Sequence, residues 1–240
     1  MDDPPAAPSN LRQSGKREMT TAAIDTNIPS TRERVLREAA RLFAVKGYYG
    51  TSTREIAAAA KIQQPSMFHH FPTKDAIMLA LIDINLDEPT AVAQREAASE
   101  GSAALRLYRY LAWDISFICR CEYDLTSAES IMNDPAFESE YPRYERLVEA
   151  RRTMIEDGIR SGEFVDVDRD LAQKVIVWIL RGDIADCAGK GTPEADEMAD
   201  ELASFALRAL LRDPSRLDEI RAQAKVRDHG RGGFALGVTG

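Results

Sequence analysis

Two Ser-x-x-Glu pairs fall within one short basic segment of this chain, Ser30 with Glu33 and Ser52 with Glu55. In such a pair the serine oxygen accepts from the amide three residues on, and the carboxylate reaches back to the serine amide. Each pair therefore marks a helix start. The first opens a helix with Val35, Leu36, Ala39, Leu42 and Phe43 at helical spacing and Gly47 as its left-handed stop. The second opens a short helix, Thr53 to Ala60, with Ile56 and Ala57 facing inward. Lys61 and Ile62 form a tight turn, and Gln63 to Phe71 make a third helix with Pro65 in its first turn, where a missing amide hydrogen costs nothing. Two short helices joined by a tight turn make a helix-turn-helix.

Charge separates this segment from the rest. Residues 30–75 carry eight Lys or Arg against four acids, whereas the whole chain has a net charge of −8. A small basic unit facing DNA, joined to a larger acidic unit facing elsewhere, carries that asymmetry. The 240 residues are 44% hydrophobic and only 7% aromatic, with no repeated alternating pattern, which favours helices over sheets. No window of about 18 apolar residues exists to span a membrane, and the opening residues lack the basic start and apolar run of a signal peptide. A cytoplasmic protein is expected. Cys119, Cys121 and Cys187 form an odd, sparse set that suits a reducing compartment.

The pattern predicts an all-α fold: an N-terminal three-helix helix-turn-helix domain and a larger helical ligand-binding and dimerisation domain. Residues 1–29, mixed in Pro, Ser, Asn and Thr, read as a disordered arm. Residues 30–75 form the DNA-binding domain, 76–213 the larger helical domain, and 214–240 a C-terminal tail with a weak helix over Arg216 to Val226. Thr73 caps a fourth helix through Ile77, Leu81 and Ile84, which Pro89 is expected to end or kink. Ala103 to Arg120 carries two apolar stripes and is expected to be covered on both sides. Thr126 to Asn133 is a short helix, and a long one runs through Tyr144, Leu147, Met154 and Ile159 to Gly162. Leu171 to Asp186 is apolar all round, and Met198, Leu202, Phe205 and Ala209 recur at spacings of four, three and four, the seam of a helix–helix interface.

The segment Thr31 to Asp75 resembles the N-terminal domain of the TetR family of bacterial repressors. Four stretches carry the likeness: Ala39-Ala40-Arg41-Leu42-Phe43-Ala44-Val45-Lys46-Gly47-Tyr48, Thr51-Ser52-Thr53-Arg54-Glu55-Ile56-Ala57, Ser66-Met67-Phe68-His69-His70-Phe71, and Pro72-Thr73-Lys74-Asp75. The resemblance implies a DNA-binding transcriptional regulator, a repressor released from a pseudo-palindromic operator by a small-molecule effector. It implies a homodimer on double-stranded DNA, no enzymatic activity, and neither cofactor nor metal.

It also places Thr53 and Lys74 at backbone-phosphate positions and Gln64, Pro65, Ser66 and His69 on the recognition helix; Arg54, Lys61 and Phe68 complete the DNA-binding set. Gln can pair bidentately with an adenine edge, and Pro can touch a thymine methyl. Two positions depart from the family. Lys61 stands where most members have Gly, at a cost of roughly 1 kcal/mol if the backbone there is left-handed. Phe68 replaces a tyrosine and lacks the hydroxyl that would reach a phosphate, so its expected role is apolar.

In the larger unit, Trp113, Phe117, Met132, Tyr144, Met154 and Trp178 are the candidate lining of an apolar ligand pocket. Trp178, Met198, Leu202, Phe205 and Ala209 are the candidate dimer interface. Ordinary core packing is the competing explanation for each. Adjacent His69 and His70 diverge by about 100° on a helix and do not make a metal site. Asp166, Asp168 and Asp170 imitate a calcium loop but have Leu171 at the required Gly, so a solvated helix start is expected. Arg120 and Arg181 read as salt-bridge residues, and Glu129 and Asp183 are the acids on which a competing enzyme reading would rest.

Overall fold

The computed structural model describes residues 29–182 and 192–228; the expected N-terminal arm, Asp183, Cys187 and the Gly-rich tail lie outside them. The described residues are helical throughout. They comprise α1 (Thr31–Lys46), α2 (Thr53–Ala59), α3 (Gln64–His70), α4 (Lys74–Ala97), α5 (Ala103–Arg120), α6 (Thr126–Ser130), α7 (Tyr141–Arg160), α8 (Arg169–Gly182), α9 (Thr192–Leu210) and α10 (Leu217–Asp228). Short 3-10 turns over Ile131–Asn133 and Pro135–Glu140 join α6 to α7, and another at Pro214–Arg216 precedes α10.

Both serine–glutamate pairs close as reciprocal caps, Ser30 with Glu33 and Ser52 with Glu55. Lys46 and Ser52 together hold the Glu55 carboxyl down at about 2, so the α2 cap is fully charged at neutral pH. The first three helices share an apolar centre of Val35, Leu36, Phe43, Ile56, Met67 and Phe71, all buried. Ile56 and Ala57 thus occupy the inward positions expected of them, and Met67 and Phe71 join them in the core.

Behind this head, α5 is the central post. It packs against α4, α7, α9 and α10, which is why both of its apolar stripes are buried. Charged side chains fasten the surrounding helices: Arg106 reaches Asp157 at 2.9 Å, and Arg120 pairs with Asp196 as a salt bridge. At the other end of α5 the Glu163 carboxylate accepts from the amides of Ala103 and Ala104 at 3.1 and 3.4 Å, satisfying free donors of the first turn. Gly158 lets α7 pass directly over the ring of Phe164, which is fully buried, and the Phe164 amide donates to the Gly158 carbonyl at 2.9 Å.

Two local expectations need correction. Pro89 does not end α4, which continues to Ala97. The ring is buried and the helix is flanked by α5 and α7, while Arg143 reaches Asp83 and Asp87 at 2.9 and 2.5 Å beside the missing hydrogen bond. Tertiary contacts outweigh the local penalty. The segment after Pro214 is not a loose tail through Asp228. Its helix docks on α5 and α9 through buried Leu217 and Ile220, and Tyr108 and Arg221 both bond the Asp200 carboxylate. This chain leaves part of the apolar surface of α8 uncovered: Ile176 and Val177 are buried, but Val175 and Trp178 are exposed.

Candidate nucleic-acid interface and ligand domain

Met67 and Phe71 anchor α3 by its inner face, which leaves Pro65, Ser66, Phe68, His69 and His70 on the outside. A buried anchor opposite an exposed face makes a short helix rigid enough to present side chains in fixed register. Gln64, half-buried at the start of α3, donates through Nε2 to the Thr53 hydroxyl at 3.0 Å. The first residues of α2 and α3 are therefore tied together, and the Gln64 amide is oriented before any contact is made. Arg54 is exposed on α2, and Lys61 is exposed in the turn. Neither makes an ion pair among the described residues. Lys61 has φ 57°, the left-handed conformation that the missing glycine would have relieved.

Lys74 has a second task that spacing alone does not disclose. Its Nζ donates to the carbonyls of Tyr48 and Thr51 at 2.8 and 3.0 Å and lies 4.1 Å from the Tyr48 ring centroid. The amine at the first residue of α4 thus gathers the link between α1 and α2. Tyr48 is further held through its hydroxyl by Asp75, and burial with that bond raises its pKa well above the ordinary range. The neighbouring contacts cross to the larger unit. Tyr49 donates to Asp134 at 2.9 Å, the rings of Tyr48 and Phe137 meet edge to face at 5.3 Å, and Arg37 pairs with Glu122. Head and body share one contact region around Tyr48, Tyr49 and the turns between α6 and α7.

Most of the expected pocket lining sits on α5, on α7 and on the turn between α6 and α7. Trp113 and Phe117 stack on α5 with centroids 5.1 Å apart; Tyr144 and Met154 lie on one stripe of α7, and the turn carrying buried Met132 packs against α7. Trp178 does not join them, since it is 72% exposed on α8. Phe205 on α9, 61% exposed, and Leu171 and Val175 on α8 are also uncovered. Met198 and Leu202 are half-buried on α9 and Ala209 is exposed. Sequence spacing missed Arg151, a buried cation on α7 whose Nε donates to the Tyr110 hydroxyl oxygen at 2.8 Å and whose Nη2 lies 3.4 Å from Asp114. Its only sequence signal is a charge within an otherwise apolar stripe. Two grooves follow the α4–α7 seam; the larger of them, about 380 Å³, is open and lined by Gln94, Ala97, Arg146 and Ala150 among others, none of them expected pocket residues.

Arg120 forms the expected salt bridge, and Asp168 caps α8 by accepting from the Leu171 amide at 2.7 Å. The side chains of Arg181 and Glu129 lie outside the described set. No helix of the described residues is long and apolar enough to cross a membrane.

Comparison with known proteins agrees with this architecture. Residues 35–81 match the family of bacterial regulatory proteins of the tetR type. The chain is 25% identical over 197 residues to the Escherichia coli HTH-type transcriptional regulator UidR, covering 78% of this chain and 94% of that protein. It is 26% identical over 185 residues to the Corynebacterium glutamicum transcriptional repressor AcnR, covering 76% and 95%. Among solved structures, AmtR of Mycobacterium smegmatis superposes with a TM-score of 0.69 at 27% identity, covering 86% of this chain and 98% of that one. PfmR of Thermus thermophilus, a TetR-family regulator, gives 0.60 at 25% identity over 78% and 100%. The anchored reading helix, the helical body behind it and these likenesses together identify the chain as a DNA-binding transcriptional regulator of the TetR family.

Proposed function

We propose that the protein is a homodimeric repressor whose two α3 helices enter successive major grooves of a pseudo-palindromic operator, and which a small-molecule effector releases. The observation that carries this reading is the outer face of α3, with Gln64 held by Thr53 and the bases Arg54 and Lys61 beside it. Gln64, Pro65, Ser66 and His69 read base edges or their methyl groups; Thr53, Arg54, Lys61 and Lys74 meet phosphates, and Phe68 makes an apolar contact. Lys74 has donated two of its three hydrogens to carbonyls, which leaves one for a phosphate. Trp178 and Phe205 supply aromatic anchors for the dimer, with Met198, Leu202 and Ala209 around them.

The shared contact region gives the effector its route. A ligand on the α5–α7 seam touches the body next to the turns that hold Asp134 and Phe137, and those residues touch Tyr49 and Tyr48. Groove spacing of about 34 Å makes operator affinity sensitive to small rotations of the heads. An effector acts only through its preference between the two arrangements, typically 1–3 kcal/mol. Quantitative gel shifts of the purified dimer on its own promoter region and on random DNA, across a salt series, test the reading. Preference for the promoter with a steep loss of affinity on added salt is expected. Equal affinity for both DNAs at every salt concentration overturns it.

A further inference from the structure

The Arg151 guanidinium is 4% exposed, and its Nη1 has no hydrogen-bond partner, although Nε and Nη2 are engaged by Tyr110 and Asp114. Nη1 stands out because it is a terminal, doubly donating nitrogen in a fully enclosed side chain; Arg106, whose Nε is also unpaired, is 11% exposed. A charged donor left unpaired in the interior calls for an acceptor. The surroundings indicate which kind. Tyr110, Asp114 and Phe117 follow one another at i, i+4 and i+7 on α5, with Phe117 about one turn beyond the ion pair and stacked on Trp113, which directly precedes Asp114. Opposite them on α7, Tyr144 and Met154 share the stripe of Arg151. Phe117 and Tyr144 are half-buried, which puts the apolar end of this region next to solvent.

We infer that Arg151 Nη1 is the polar anchor of the effector site, and that the effector is a neutral, flat, largely apolar molecule bearing one carbonyl acceptor. Asp114 already balances the Arg151 charge, so a carboxylate effector would bury an uncompensated negative charge, whereas a ketone, lactone or amide oxygen takes the free donor without adding charge. The stacked Trp113–Phe117 pair, which flanks Asp114 with Phe117 about 4.5 Å beyond it along α5, accepts the ring system. This assignment rests on the reading of the larger unit as a ligand domain.

Three probes of one shape separate the possibilities: 2-acetylnaphthalene, 2-naphthoate and 2-ethylnaphthalene, titrated calorimetrically into the full-length dimer. The ketone binds at least tenfold more tightly than the hydrocarbon, and the carboxylate binds weakest. Arg151→Lys, which keeps the charge beside Asp114, loses that tenfold advantage and leaves 2-ethylnaphthalene affinity unchanged. The Arg151→Met/Asp114→Leu double variant, with both charges removed together, does the same. Operator binding without probe reports folding for each variant; should the double variant fail there, Arg151→Lys alone decides. Equal binding of ketone and hydrocarbon means that water alone satisfies Nη1 and overturns the proposal. Tightest binding by naphthoate, or no binding by any probe, overturns it as well. Operator binding retained through these failures leaves the regulator reading intact, whereas its absence in the unaltered chain sinks that reading instead.

Discussion

Replacing Gly158 with Ala puts the contact between α7 and Phe164 to a quantitative test. A Cβ built at Gly158 falls 2.1 Å from Cδ2 and 2.3 Å from Cε2 of the Phe164 ring, far inside van der Waals contact. The ring has little room to retreat. Its own amide is bonded to the Gly158 carbonyl, Val165 donates to Leu210 at 2.8 Å, and Arg212 donates to Glu163 at 2.9 Å, so the segment is tied to the end of α9. Overpacking of this kind costs about 1–3 kcal/mol. Against it stands the helix preference for alanine over glycine, about 1 kcal/mol. A clash at 2.1 Å against a tied ring falls in the upper half of the overpacking range, about 2–3 kcal/mol. The net loss is therefore about 1–2 kcal/mol, or roughly 2–8 °C in Tm for a chain of this size. Urea and thermal melts at fixed protomer concentration measure it, because dimer stability depends on concentration. Phe164→Ala alone costs about 3–5 kcal/mol through the cavity it leaves. In the double variant the clash has no ring to meet, so the two losses do not add; the shortfall is about 1–3 kcal/mol. A Gly158→Ala protein as stable as the parent, or strictly additive losses, refutes the reasoning.

Gln64→Ala is expected to weaken operator binding by about 1–3 kcal/mol and relax base preference, while Lys74→Met weakens binding evenly across sequences and also lowers the melting temperature, because Tyr48 and Thr51 lose their donor. Gel shifts on operator variants, paired with melts, separate the two. Lys61→Gly removes left-handed strain of about 1 kcal/mol but adds unfolded-state freedom, so stability rises by less than that, while the salt dependence of DNA binding becomes shallower by about one ion. Burial pushes the Cys121 thiol up to about 11, so in a Cys187→Ser background a disulfide reagent reacts slowly at pH 8 and faster as pH rises toward 11; a rapid reaction at pH 8 contradicts the burial.

The head was legible because its information is local. A capping box spans four residues, and both boxes form as their spacing requires; the strain at Lys61 likewise follows from one turn position. Long-range contacts were not legible. Nothing near Lys74 in sequence announces that its amine will bond carbonyls at positions 48 and 51. Pro89 carries a strong local signal, yet α5, α7 and Arg143, all distant in sequence, decide its environment. Leu217 and Ile220 give too short an apolar pattern to reveal docking of α10. For Trp178 the size and polarity of the side chain suit a cavity and an exposed surface equally, and only the direction in which α8 presents it shows that it is exposed.

The grip of Lys74 on the link between α1 and α2 makes α4 a rigid lever with the head fixed to its short end. With 24 residues α4 is about 36 Å long. A tilt of about 5° about one end therefore displaces the other by about 3 Å, comparable to the length of a hydrogen bond. On the proposed reading, release from DNA then needs no helix to melt or refold, because a few degrees of leverage would carry the base contacts out of range together.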